Sequence, residues 1–146
     1  MSPESPYFFD ESAGEFSSDL RNDFAGSLQE WLNRLDGRFV AEETTDRNAA
    51  VFIITFSEDL SKRHNNWGYT EHVFENSQRM RATLFFRKDL DRRDFRMIAK
   101  HEIGHGLGID NHSPAQTDIM QERRESLQSN SLTQRDVNTI RKVYGL

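Results

Sequence analysis

Apolar residues recur at helical spacing in the segment SSDLRNDFAGSLQEWLNRLDG, residues 17–37. Ser17 or Ser18 can cap the N-terminus, and Gly37 lies just past the predicted end. The apolar positions are Leu20, Phe24, Leu28, Trp31 and Leu35. The pattern therefore predicts an amphipathic helix that packs one face against a core.

Two further helices are predicted from their capping residues. Asp91 has an acidic residue, Asp94, three positions later, and the helix that begins there continues through HEIGH. Thr133 and Asp136 repeat this spacing before an apolar periodic segment that stops at Gly145. The second half of the chain thus has two helices.

Strand patterns lie between the first and second helices and at the start of the chain. Residues 7–10 are a short apolar stretch, and the unbroken apolar run of residues 49–56 suits a strand buried on both faces. Residues 80–88, MRATLFFRK, alternate, and their arginines suit a sheet edge. The polar residues 57–78 predict a long loop, which in a compact domain is uncommon and often functional.

Composition narrows the class of protein. A chain of 146 residues is enough for one domain, and it contains no apolar run of membrane-spanning length. The net charge of −5, with acids and bases interspersed, argues against nucleic-acid binding. The absence of cysteine excludes disulfides and thiol catalysis. We expect a monomer without membrane insertion, and a secreted mature fragment is favoured over a cytoplasmic protein.

The stretch HEIGH carries the chemistry. His101 and His105 are four residues apart, so on a helix their rings lie on one face, close enough to share a tetrahedral zinc ion. Glu102 lies about 100° round the helix, beside the open coordination position where a general base is needed. Zinc lowers the pKa of a bound water to about 7, which favours attack on a carbonyl carbon. The alternative is a helix with two histidines that are merely hydrogen-bonded.

The residues after this motif favour a metal site. Gly106 and Gly108 are natural places for a helix to end in a left-handed turn, and the chain then returns past the metal. Asp110, Asn111 and His112 follow as candidates for a third ligand. Zinc prefers imidazole or carboxylate to an amide, so Asn111 is the poorest of the three.

HEIGHGLGIDNHS, followed by a methionine at position 120, resembles the metzincin clan of zinc endopeptidases and, within it, the matrixins. AAVFIITF resembles their central strand, RATLFF their edge strand and SLTQRDVNTIRKVYGL their closing helix. The resemblance implies an α+β fold: a twisted, mostly parallel mixed sheet of about four or five strands with an antiparallel edge strand, plus a backing helix, an active-site helix and a C-terminal helix. It also implies one catalytic domain over residues 1–146, with an upper part of about 1–108 and a lower part of about 109–146.

The implied activity is zinc-dependent hydrolysis of internal peptide bonds in proteins or peptides. His101 and His105 would bind one catalytic Zn²⁺, and Glu102 would act as base and then as proton donor. The usual third ligand position falls on Asn111. Because an extra loop residue costs little, His112, one residue later, is the predicted third ligand.

Several other roles follow from the resemblance. Asp110 is the alternative third ligand, because some metzincins use an aspartate. Met120 would form a hydrophobic floor under the ligands, whereas Glu122 stands where some metzincins have an auxiliary tyrosine. An extended substrate would add to the predicted edge strand, formed by Thr83, Leu84, Phe85 and Phe86.

A second metal site and a second function class are also considered. Matrixins often hold structural zinc or calcium near residues such as His64 and His72, but the spacing here differs, which favours surface histidines. The alternative to an enzyme is a non-catalytic or latent zinc-binding module for peptide recognition, or a toxin-like one. Glu102 argues against that alternative, because a structural zinc site has no use for a base.

Overall fold

Nine helices and strands make up the described part of the chain, which in this computed structural model comprises residues 4–36, 39–62, 67–76, 78–115, 117–122 and 131–146. The strands are β1 Glu4–Asp10, β2 Val40–Glu43, β3 Phe52–Phe56, β4 Gly68–Glu75 and β5 Gln78–Phe86. The α-helices are α1 Ser18–Leu32, α2 Glu58–Lys62, α3 Arg92–Leu107 and α4 Gln134–Val143, and a 3-10 turn spans Arg47–Ala49. The three long helices correspond to the three that the sequence predicts.

The five strands form one mixed sheet in the order β2-β1-β3-β5-β4. The pairs β1 with β2, β1 with β3 and β3 with β5 are parallel, and β4 runs antiparallel to β5. A mostly parallel sheet with an antiparallel strand at one edge is therefore confirmed.

The prediction of a long loop at residues 57–78 was wrong, because this segment contains α2 and the edge strand β4. An edge strand has only one neighbour and mostly exposed side chains, so it lacks the apolar run of a central strand. The prediction that Thr83–Phe86 form the edge was also wrong, since β5 lies between β3 and β4. The half-buried Arg81 suits this interior strand because its guanidinium donates to the backbone oxygens of Ala50 and Asn48, both at 3.0 Å.

One face of the sheet carries the core. The register places Phe52 between Tyr7 and Ala82, and Ile54 between Phe9 and Leu84, and these side chains are all buried. All five residues of β3 are buried, as predicted for a central strand. It begins later than the apolar run because Ala49 belongs to the 3-10 turn and Ala50 caps the end of that turn.

The helices α1 and α3 pack against each other and cover this face. The Ser17 side chain caps α1 by accepting from the Leu20 amide at 3.2 Å. The helix ends at Leu32, earlier than predicted, although Leu35 remains buried; Gly37 lies outside the described residues. The indole of Trp31 donates to the Lys100 carbonyl at 2.9 Å and so joins α1 to α3 one residue before the HEIGH motif. None of the helices described here has the length and apolar character needed to cross a bilayer.

Candidate metal centre

The helix α3 carries the first two histidines. It begins as predicted, with the Asp91 carboxylate accepting from the Asp94 amide at 2.8 Å. Hydrophobic residues hold its inner face in the core, so His101 and Glu102 are almost completely buried, at 0% and 1% exposure. Because the helix is anchored on this side, the direction of both side chains is set by its packing.

The end of α3 reverses the chain at Gly108. This residue has φ 121°, and the Gly108 and Ile109 amides donate to the carbonyls of His105 and Gly104, both at 3.0 Å. The prediction that Gly106 also belongs to the turn was wrong, because Gly106 lies within the helix. A Cβ there would stand 2.8 Å from the ring of Phe52, so close packing on β3 accounts for the absence of a side chain.

Three histidine side chains converge where the reversed chain passes α3. The Nε2 atom of His105 lies 3.2 Å from that of His101 and 3.1 Å from that of His112. Tetrahedral zinc with Zn–N bonds of about 2.0–2.1 Å holds its nitrogen ligands about 3.4 Å apart. The spacing of these atoms therefore fits one zinc ion.

Hydrogen bonds to backbone oxygens orient two of the rings. The His101 Nδ1 lies 2.7 Å from the carbonyl oxygen of Ile119, and the His105 Nδ1 lies 2.6 Å from that of Ile109. A carbonyl oxygen has no proton, so each Nδ1 is the donor and each neutral ring has its lone pair on Nε2. Lone pairs 3.2 Å apart repel each other, whereas a cation between them would be stabilised. In their neutral form, two of the three rings thus present an Nε2 lone pair, as zinc requires.

Glu102, His105 and His112 line an open cleft of about 680 Å³, and β4 borders it on the other side. The start of β4 packs directly on Glu102, because a Cβ at Gly68 would stand 2.9 Å from the Glu102 Cγ. The Thr70 hydroxyl also donates to the Glu102 carbonyl at 3.2 Å. The lining residues are Ser57, Asp59, Leu60, Gly68, Tyr69, Thr70, Glu71, His72, Phe85, Glu102, His105, Asp110 and His112.

The loop that forms the outer wall of the cleft contains the candidates for a third ligand. Asp110 and Asn111 are exposed, and Asp110 lines the cleft. In the part of the chain that the structure describes, the only group able to hold a metal is His101, His105 and His112. His72 lines the cleft outside this group, and His64 lies outside the described residues.

Met120 lies in a turn beneath the first two histidines. It is 2% exposed, and its sulfur occupies the space that a side chain at Gly104 would need. Gly104 stands between His101 and His105 on α3, so the thioether packs directly under that part of the helix. This position agrees with the floor role predicted for Met120, which stays a prediction.

Sequence reasoning missed the part that β4 plays in the cleft. The sequence gives little signal for it: Gly68 and Thr70 face the helices, whereas the aromatic Tyr69 and the charged Glu71 are both exposed, so residue type does not follow the two faces. The Tyr69 hydroxyl donates to the Glu71 carboxylate at 2.7 Å, and this bond raises the pKa of Tyr69 above its usual value. Of the predicted substrate-binding residues Thr83, Leu84, Phe85 and Phe86, Phe85 lines the cleft.

Asp136 also does more than cap a helix. It forms the predicted capping box with Thr133, and its carboxylate accepts from the amides of Ile119 at 2.8 Å and Met120 at 3.2 Å. Through Ile119, whose carbonyl orients His101, the start of α4 is connected to the metal centre.

In a comparison with known protein families, the family model of the matrixins, which are peptidases, matches residues 7–145, nearly the whole chain. Among curated proteins, none matches.

Proposed function

The chain belongs to the matrixin family of zinc-dependent peptidases, and from this premise we propose that it is an endopeptidase whose zinc ligands are His101, His105 and His112. The observation that carries the proposal is the convergence of three Nε2 atoms, at 3.1 and 3.2 Å, beside a cleft that Glu102, His105 and His112 line. Three imidazoles leave one position of a tetrahedral ion open, as in catalytic rather than structural zinc sites.

Glu102 is the proposed base. When bound, zinc supplies Lewis acidity, which lowers the pKa of water and polarises the carbonyl of the scissile bond. The Glu102 carboxylate accepts the proton of the attacking water and then delivers it to the nitrogen of the leaving amine. Its burial and its contact with the start of β4 restrict its motion, so that the carboxylate is positioned before the substrate arrives.

The substrate binds along β4 rather than β5. Among the described strands, β4 pairs only with β5, so the other side of its backbone can accept an extended peptide through main-chain hydrogen bonds. Its first residues, 68–72, line the cleft, which aligns such a peptide with Glu102 and the histidines. This proposal replaces the predicted binding strand Thr83–Phe86, of which Phe85 contributes to the cleft.

In this proposal residues 1–146 form one catalytic domain with an upper and a lower part. Met120 supplies an apolar floor under the ligands, and its flexible thioether fills the space left by Gly104. The upper part, about residues 1–108, carries the sheet and α3, and the lower part, about 109–146, carries the third ligand. The proposed enzyme is a monomer with one catalytic zinc ion.

The test is cleavage of a diverse peptide mixture by the zinc-loaded protein, analysed by mass spectrometry. Glu102→Gln keeps the shape of the side chain but removes the base, so internal cleavage should fall at least about 100-fold. Glu42→Gln is the matched control, because Glu42 is exposed on β2 at the opposite edge of the sheet and its replacement should leave cleavage unchanged.

Zinc content is measured on the same three proteins. Full zinc occupancy without internal cleavage by the unsubstituted protein would contradict the proposal and favour the non-catalytic peptide-recognition module. Equal cleavage by the Glu102→Gln protein would contradict the role of Glu102.

A further inference from the structure

The loop that carries His112 is anchored by a buried carboxylate outside the cleft. We propose that Asp118 is a positioning residue that sets the place of His112, an inference that rests on the proposed function. Asp118 does not belong to the group of candidate ligands, and it therefore acts through its neighbours.

The Asp118 side chain is completely buried and accepts hydrogen bonds from three side chains. Its Oδ2 accepts from the Ser113 hydroxyl at 2.5 Å and from the Arg135 Nε at 2.8 Å. Its Oδ1 accepts from the Thr133 hydroxyl at 2.7 Å. One carboxylate thus joins three segments: the loop of His112, the turn of Met120 and the start of α4.

Ser113, the residue directly after His112, is held by Asp118 and by a second hydrogen bond from its backbone. Its hydroxyl donates to Asp118, and its amide donates to the Met120 carbonyl at 2.6 Å. The same hydroxyl accepts from the Ala115 amide at 3.2 Å, which closes the turn. Ser113, next to His112, is therefore held through both its main chain and its side chain.

This anchoring matters for His112 more than for the other two histidines. His101 and His105 lie on a packed helix, and backbone carbonyls orient both rings. His112 is exposed and lies on irregular backbone, so the position of its ring follows the position of its loop. A shift of about 1 Å in that loop would be large compared with the tolerance of zinc ligand distances, about 0.2 Å.

The chemistry of the anchor is suited to fixing a position. A buried carboxylate is costly unless donors surround it, and here two hydroxyls and a guanidinium do so. The Arg135 side chain is 63% exposed, so solvent weakens its share of the attraction. The short bonds to Ser113 and Thr133 are directional, and they define where the loop lies relative to α4.

The experiment compares zinc affinity and the cobalt(II) absorption spectrum of the unsubstituted protein and the Asp118→Asn protein. Competition with a chelator should show that the zinc dissociation constant rises about tenfold, as is typical when support behind a ligand is lost. The visible bands of bound cobalt(II) should weaken or shift, because a displaced His112 changes the geometry of coordination. A purely structural role would change neither.

Two further variants complete the design. Ser113→Ala removes only the hydroxyl nearest His112, and it should shift affinity and spectrum in the same direction even if Asp118→Asn does not fold. Asp23→Asn is the matched control: Asp23 has a side chain 8% exposed and paired with Arg92 at 3.0 Å, between α1 and α3. This control should lower thermal stability and leave the cobalt spectrum unchanged.

The outcomes separate this inference from the function on which it rests. If the unsubstituted protein binds zinc, and Asp118→Asn and Ser113→Ala bind it equally well with an unchanged cobalt spectrum, Asp118 does not position His112. If the unsubstituted protein does not bind zinc or cobalt, the proposed function itself is overturned.

Discussion

Two regions of the molecule are stabilised in different ways. The sheet region, taken as the described residues of 4–107, buries large aromatic and aliphatic side chains between the sheet and the helices α1 and α3. The ligand-loop region, the described residues of 109–146, adds only a few side chains to this core, and it buries two aspartates, Asp118 and Asp136, whose carboxylates accept from loops and from α4. Apolar packing supplies stability with little directionality, whereas hydrogen bonds fix positions. The difference suggests that one region holds the domain together and the other places the third ligand.

Deleting a central ring of the sheet region should have the largest effect. Phe24 is completely buried, and its ring lies 5.3 Å from that of Tyr7 and 5.7 Å from that of Phe9. We expect Phe24→Ala to lower the free energy of unfolding by about 3–5 kcal/mol, because it leaves a cavity in the core. Urea denaturation measures this loss. A loss below about 1 kcal/mol would contradict the claim that apolar packing stabilises the sheet region.

A smaller and more local effect is expected from Asp136. Asp136→Asn replaces one of two acceptor oxygens, so one of the amides of Ile119 and Met120 loses its partner at a cost of about 1–3 kcal/mol. Hydrogen exchange should accelerate at these two amides while the amides of β3 stay protected. Equal acceleration in β3 would show that the two regions open together.

The smallest effect concerns Asp10 at the end of β1. Hydrogen bonds from Ser12 lower the pKa of Asp10 below its ordinary value, so its carboxylate stabilises the folded state above the unfolded pKa of about 3.9. This contribution is lost as the pH falls below about 4 towards the lower pKa of the folded state. The stability of Asp10→Asn should therefore depend less on pH in this range, as denaturation at several pH values would measure. An unchanged pH dependence would contradict the assignment.

Much of the fold follows from local patterns. The helices α1, α3 and α4 and the strands β1, β3 and β5 have periodicity and caps that are visible without tertiary contacts. The edge strand β4 does not, since most of its side chains face solvent and its pairing with β5 defines it. The prediction that residues 83–86 form the sheet edge was wrong for a similar reason. An alternating strand with arginines is compatible with an edge or an interior position, and only its pairing with neighbouring strands decides between them.

The sequence by itself determined the relation among His101, Glu102 and His105, because that relation depends only on the pitch of one helix. It also pointed to a reversal of the chain at Gly108, where a positive φ favours glycine. Only the tertiary structure decided that β4 borders the cleft, that His112 approaches His105 and that Asp118 contacts the loop that carries His112. These contacts join segments through loops and across the sheet, and their geometry depends on how the whole domain packs.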